Sequence, residues 1–217
     1  MPLMPLIDIT PRVSPRLAVF PGDTAMSREV LLDIERGCNI TLSTLRATVH
    51  LGAHVDAPSH YGKGGRTIEQ QSLDLYVGPC QVIRVDVPKR HRIRPEDLRT
   101  EINAPRVLFA TGTYSNPDQW DGDFAALSVE LVDLLHARGV RLVGIDVPSV
   151  DLSDSKDLPA HHRLFQHDIS IVEGVVLEGV AQGFYELIAL PLALEGFDGS
   201  PVRAVLRGPI PDDATTA

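Results

Sequence analysis

Imidazole and carboxylate side chains crowd the segment His50-Leu-Gly-Ala-His54-Val-Asp56-Ala-Pro58-Ser-His60, which holds three of the chain's eight histidines. Nitrogen and oxygen donors of these types suit a borderline divalent ion such as zinc, so the cluster points to a catalytic metal centre. Spacing restricts how the segment can fold. An ideal strand would separate His50 from His54 by about 13 Å, too far to share one ion. A regular helix would unite those two but swing Asp56 away, and Pro58 disfavours a helix there. A bent extended segment satisfies all three residues. Gly52 permits the bend, and His54 and Asp56, two apart, face the same side.

A second group of donors lies far along the chain. His161 and His162 follow a loop rich in turn formers, Asp154-Ser-Lys-Asp-Leu-Pro-Ala. Glu173 interrupts the apolar run 169–176, where a carboxylate is paired, exposed by strand alternation or bound to metal. The remaining histidines read differently. His91 sits in a solvated basic stretch, His136 lies within a helix, and His167 is a loop or supporting residue.

The elements that must position these groups are legible as apolar, β-branched runs at 81–87, 106–110, 141–147, 170–176, 186–190 and 202–206, which predict strands. Residues 128–138 predict a helix capped by Ser128 and ended by Gly139, with Val129, Val132 and Leu135 on its buried face and Leu131 flanking it. A shorter helix is expected to begin at Pro95. The fold class is α/β in a single domain spanning 1–209, with 210–217 as a frayed polar tail.

Composition narrows the function classes. With 43% hydrophobic and 23% charged residues the chain reads as a soluble globular protein. A formal net charge of −9 argues against nucleic-acid and anionic-membrane partners. No run approaches the about 20 apolar residues of a membrane span, and the start does not read as a secretory signal. Cys38 and Cys80 are too few for a disulfide scaffold and read as buried thiols of a cytoplasmic protein. No Gly-x-Ser-x-Gly elbow is present, neither cysteine sits in a nucleophile motif, and Gly62-Lys-Gly-Gly-Arg66 lacks phosphate-loop spacing and reads as a flexible loop beside the site.

The ordered motifs carry a resemblance. His50-x-Gly52-x-His54-x-Asp56-x-Pro58-x-His60 resembles the signature of the metal-dependent cyclase-like hydrolases, and within that superfamily the chain is similar to the bacterial kynurenine formamidases (arylformamidases). The likeness extends through Phe20-Pro-Gly-Asp23, Tyr76-Val-Gly-Pro-Cys80, Gly139-Val-Arg-Leu-Val-Gly-Ile-Asp146, Pro148-Ser149, Asp154-Ser-Lys156 with Ala160-His161, Glu173-Gly174, Tyr185-Glu-Leu-Ile-Ala-Leu-Pro191 and Ser200-Pro-Val-Arg-Ala-Val-Leu206. It implies a swivelling β/β/α fold with a barrel-like mixed sheet. It also implies two divalent ions, zinc by precedent, with manganese or cobalt compatible with the same donors. One ion would take His50, His54 and Asp56. The second would share Asp56 and add His161 and Glu173, leaving His60 as the proton carrier. The alternative for His60 is a third ligand or a supporting partner.

The implied reaction is hydrolysis of N-formyl-L-kynurenine to L-kynurenine and formate in tryptophan breakdown, with Phe20 on the substrate and a homodimer as the assembly. The proline-rich N-terminal segment could reach a neighbour. Phe20 stands where relatives carry tryptophan, and Leu51 where threonine is common. Phenylalanine keeps a face for stacking but loses area and the indole donor. The competing readings are an isatin-type hydrolase of the same superfamily, opening a cyclic amide, and a non-catalytic metal-binding protein.

Overall fold

Four strands with wholly or largely buried side chains form the centre of the molecule and run parallel: β5 (Val77–Arg84), β7 (Arg106–Ala110), β9 (Leu142–Ile145) and β10 (Ser170–Glu173). Their apolar runs are continuous because both faces are covered. Val107, Phe109, Val143 and Ile145 pack on one face with Leu131, Leu135 and Leu164 from two helices. Leu108, Leu142 and Val172 point to the other, joining Ile9, Tyr76, Tyr185 and Leu206 in a second core. In this computed structural model, residues 4–210 are described.

The remaining strands are β1 (Leu6–Asp8), β2 (Ser27–Leu32), β3 (Leu42–Arg46), β4 (His54–Asp56), β6 (Arg92–Ile93), β8 (Ala126–Leu127), β11 (Gly183–Ile188), β12 (Gly199–Pro201) and β13 (Val205–Ile210); the helices are α1 (Pro58–Tyr61), α2 (Val129–Ala137) and α3 (Pro159–Gln166). One nine-stranded mixed sheet, ordered β1-β13-β11-β5-β7-β9-β10-β4-β12, curls into a half-barrel. Two small sheets pair β2 with β3 and β6 with β8. The expected α/β class and barrel-like mixed sheet are therefore the observed architecture.

Helix α2 matches its expected span. The Ser128 hydroxyl oxygen accepts from the Leu131 N–H at 3.1 Å, and Gly139 leaves the helix at φ 75°. Its buried residues are Leu131, Val132 and Leu135, so Leu131 replaces Val129 on the core face. The Pro95 helix is a single 3-10 turn, Pro95–Asp97. Strand β10 stops at Glu173, three residues short of expectation, because Gly174 turns the chain at φ 66°. The expected strand 202–206 is shifted, with β12 ending at Pro201 and β13 beginning at Val205. Within the N-terminal segment, β1 pairs with β13 of its own sheet, and residues 1–3 lie outside the described residues. Cys80 is buried as expected, whereas Cys38 is half-buried. Of the expected tail, Ile210 ends β13 and 211–217 lie outside the described residues.

Candidate metal centre

The bend expected at Gly52 is present, with φ 59°, and delivers His50 and His54 to one place. A Cβ at Gly52 would stand 3.0 Å from Leu17 Cδ2 and Pro11 Cγ, and one at Gly174 would stand 2.2 Å from the Gly52 carbonyl oxygen. The two glycines therefore allow the bend to press against the end of β10. Glycine is required at both, by backbone angle and by space.

Strand register assembles the rest. His54 and Asp56 alternate to the same face of β4, which pairs antiparallel with β10 so that Glu173 lies opposite His54. His54 Nε2 stands 3.3 Å from Glu173 Oε2 and 3.5 Å from Asp56 Oδ1. His50 Nδ1 is 3.0 Å from the same Asp56 oxygen. From the opposite side the buried His161, in the first turn of α3, brings Nε2 to 3.6 Å from both Asp56 Oδ2 and Glu173 Oε1. Among the described residues, three groups of potential ligand atoms result: His50 with His54 and Asp56, Asp56 with His161 and Glu173, and His50 with His60 and Asp198. Asp56 belongs to the first two.

Each ring is oriented by its other nitrogen. His54 Nδ1–H donates to the Gly52 carbonyl at 2.8 Å, which leaves Nε2 free to bind. His161 Nδ1–H donates to Asp151 Oδ2 at 2.9 Å. Asp151 is wholly buried and also accepts from the Ala160 and His161 N–H groups and from Arg92. It thus ties the start of α3 to the site, where the chain had been read as a loop. Glu173 Oε1 accepts from the Val150 N–H at 2.7 Å.

The donor set fits a divalent cation. Asp56 Oδ2 is buried without a hydrogen-bond partner, and 3.6 Å to His161 is beyond hydrogen-bond range. Protons on the imidazoles balance the carboxylates when no cation does. Burial opposes that charge at His50, but Asp56 and Asp198 outweigh it and raise its pKa to about 9. Burial likewise opposes His161, and Asp151 and Asp56 raise it to about 10. His54 moves upward against burial through Glu173 and Asp56. Asp56 itself is held well below the carboxylate range, because His161, His50 and His54 outweigh its burial. A bound cation would replace those protons.

His50, His54, His60, His161 and Glu173 line a cavity of about 630 Å³. Its rim is aromatic. Phe20 is exposed and meets Trp120 edge-on at 5.2 Å between ring centroids. Leu51 is buried beside the ligand segment. His162 projects to the exposed side of α3. His167 is away from the cluster; it pairs with Asp133 at 2.7 Å and stacks on His136. His91 is half-buried against Asp97 rather than simply solvated. In the 62–66 loop, Gly62 and Gly65 pack against Phe165 and Pro58, whereas Lys63, Gly64 and Arg66 are exposed. Sequence reasoning missed Asp151, Asp198 and Trp120. Asp198 Oδ2 stands 3.0 Å from His50 Nε2 and 3.3 Å from His60 Nδ1, across separations of 148 and 138 residues that give no local signal.

The chain is similar to known proteins along most of its length. The family model Cyclase, described as "Putative cyclase", matches residues 7–152. A kynurenine formamidase from Maricaulis maris (strain MCS10) is 44% identical over 202 residues, covering 92% of this chain and 96% of the relative. A solved potential metal-dependent hydrolase with cyclase activity superposes with a TM-score of 0.82 at 29% identity, covering 96% of this chain and all of that one. Isatin hydrolase A from Labrenzia aggregata shares the fold, with a TM-score of 0.80 at 22% identity over 94% of this chain and 93% of its own. The chain belongs to the Cyclase family.

Proposed function

We propose that this chain is a kynurenine formamidase, hydrolysing N-formyl-L-kynurenine to L-kynurenine and formate as a step of tryptophan breakdown. The observation that carries the reading is Asp56, buried between two imidazole-bearing groups beneath an aromatic-rimmed cavity. The 44% identity to a kynurenine formamidase supports the choice of substrate.

His50, His54 and Asp56 would hold one divalent ion, and Asp56, His161 and Glu173 a second. The ions would be zinc by family precedent, with manganese and cobalt compatible with the same N/O donors. When bound, such ions supply water that ionises near neutral pH and an electrophilic contact for a carbonyl oxygen. His60 lines the cavity and is exposed enough to meet substrate. Its imidazole takes the proton released by attacking water and delivers it to the aryl nitrogen as the C–N bond breaks. The amine leaves neutral, and the former water oxygen departs in formic acid, which gives its remaining proton to solvent to become formate. Phe20 and Trp120 offer ring faces and edges to the aryl group of the substrate.

The working form is a homodimer in the cytoplasm, and hairpin β2–β3 is its candidate contact. All residues of both strands are exposed, among them Val30, Leu31, Leu42 and Leu45. A lone two-stranded hairpin is marginal in water and needs a covering surface. A second copy presents the same apolar strands, so Leu31→Glu with Leu45→Glu is expected to yield monomers in sedimentation experiments. Among the described residues, no helix is long and apolar enough to cross a membrane.

The deciding experiment is turnover of N-formyl-L-kynurenine and of isatin by metal-quantified protein. Turnover of the formamide with about two ions per chain is expected. Turnover of isatin alone would move the reading to cyclic amides, and tight metal binding without turnover of either would make the protein non-catalytic.

A further inference from the structure

Asp198 is half-buried at the edge of the cluster, and its position is fixed by backbone. It immediately precedes β12, which pairs with β4 so that Gly199 lies opposite Asp56. The Ala57 N–H donates to the Asp198 carbonyl at 2.9 Å. A Cβ at Gly199 would come within 3.0 Å of His50 Cε1, so glycine there leaves room for the ring that Asp198 touches. One carboxylate oxygen, Oδ2, contacts both His50 Nε2 at 3.0 Å and His60 Nδ1 at 3.3 Å. The two rings lie 4.2 Å apart between centroids.

A carboxylate can only accept, and a neutral imidazole has one N–H and one lone pair. When Asp198 accepts from His60 Nδ1–H, the lone pair is left on Nε2, where a base needs it. When the same oxygen accepts from His50 Nε2–H, the lone pair is left on Nδ1, the nitrogen beside Asp56. We infer that Asp198 is a positioning residue that sets the tautomers of both rings, aiming His60 Nε2 at substrate and His50 Nδ1 at the metal position. The inference rests on the proton-carrying role proposed for His60. It couples the proton carrier to the ligand shell through one shared oxygen, as outer-sphere carboxylates do for metal-binding histidines.

The test uses zinc-loaded full-length protein with Asp198→Ala, alone and combined with His60→Ala. Loss of the anchor is expected to lower kcat by about 10–100-fold at matched metal content, with KM within about twofold. In the His60→Ala background the same change should cost less than about threefold, since residues acting as a unit are not additive. Long-range ¹H–¹⁵N NMR should show His60 as the Nδ1–H tautomer in the parent and as Nε2–H in Asp198→Ala. Chelator competition should show weaker zinc binding in the variant.

Equal losses in both backgrounds, or His60 already Nε2–H in the parent, would overturn the inference. If Asp198→Ala fails to fold, Asp198→Asn serves instead. Its single amide oxygen can accept from one ring, so its effects should fall between parent and alanine, and a loss no smaller in the His60→Ala background would count against the idea. If the parent does not hydrolyse N-formyl-L-kynurenine, the functional reading fails. The NMR and zinc-competition results still decide the role of Asp198.

Discussion

His161 and Phe20 line the same cavity, yet one is 3% exposed and the other 52%. His161 sits on a helix whose first turn is tied down by the buried Asp151, and its neighbours His54, Asp56 and Glu173 occupy facing positions on paired strands. Phe20 belongs to an irregular segment and meets Trp120, which lies on another loop. The floor that would perform chemistry is thus fixed by backbone register and buried hydrogen bonds. The rim that would recognise substrate rests on loops that can vary without moving the floor. Rigid elements hold reacting groups more accurately than loops do.

Substitutions can break this division or sharpen it. Asp56→Asn attacks the floor where the two donor groups meet, and should abolish turnover and binding of both ions. The loss should exceed the about 10–100-fold typical of a residue that supports a ligand from outside. Metal analysis beside initial rates would check it, and retention of both ions would remove Asp56 from the bridging role. His60→Ala should cost about 10²–10⁴-fold in kcat while metal content stays unchanged. A parallel fall in bound metal would instead make His60 a ligand.

Chelation probes the floor without mutation. In metal-free protein, His50 and His161 carry pKa values raised to about 9 and about 10 by neighbouring carboxylates. Groups with raised folded-state values contribute stability that is complete below the unfolded histidine value of about 6.5. That stability is lost as pH climbs through 9 to 10. Thermal scans of the metal-free protein should therefore show Tm falling between about pH 6.5 and 10. Zinc-loaded protein should lose less, because cations replace the protons. A flat metal-free profile would show the imidazoles to be neutral.

The smallest effects belong to the rim. Trp120→Ala should remove an edge-on aromatic contact worth about 0.5–1.5 kcal/mol, raising KM by about 2- to 12-fold with kcat nearly intact. Phe20→Trp should change KM by a comparable factor. A kcat loss as large as that of His60→Ala would mean that rim and floor are not separable.

Much of the floor was legible in the sequence because its chemistry is local. His50, His54 and Asp56 fall within seven residues with a glycine at the bend, and Glu173 stands out as a carboxylate in an apolar run. The central strands were legible for the same reason, since burial on both faces leaves unbroken β-branched runs. Asp198 and Asp151 were not, because a lone aspartate looks alike whether it faces water or an imidazole, and only the pairing of β4 with β12 and the return of α3 bring them in. Helix α3 was hidden by its polar composition. Hairpin β2–β3 was hidden because its residues are exposed on both sides, which leaves no alternation to read.

Strand β4 lies between β10 and β12, both antiparallel to it and both made more than a hundred residues later. On the ribosome, the His50–Asp56 segment therefore emerges early and waits without either neighbour. The side chains that complete the cluster, His161 and Glu173, are made more than a hundred residues later. Such long-range pairing slows folding, since loop closure precedes the contacts that reward it. With the proposed ligand set, metal acquisition in the cell would be a late event, after the sheet has closed around β4. A nascent chain truncated before residue 170 would present His50, His54, Asp56 and His161 but lack Glu173.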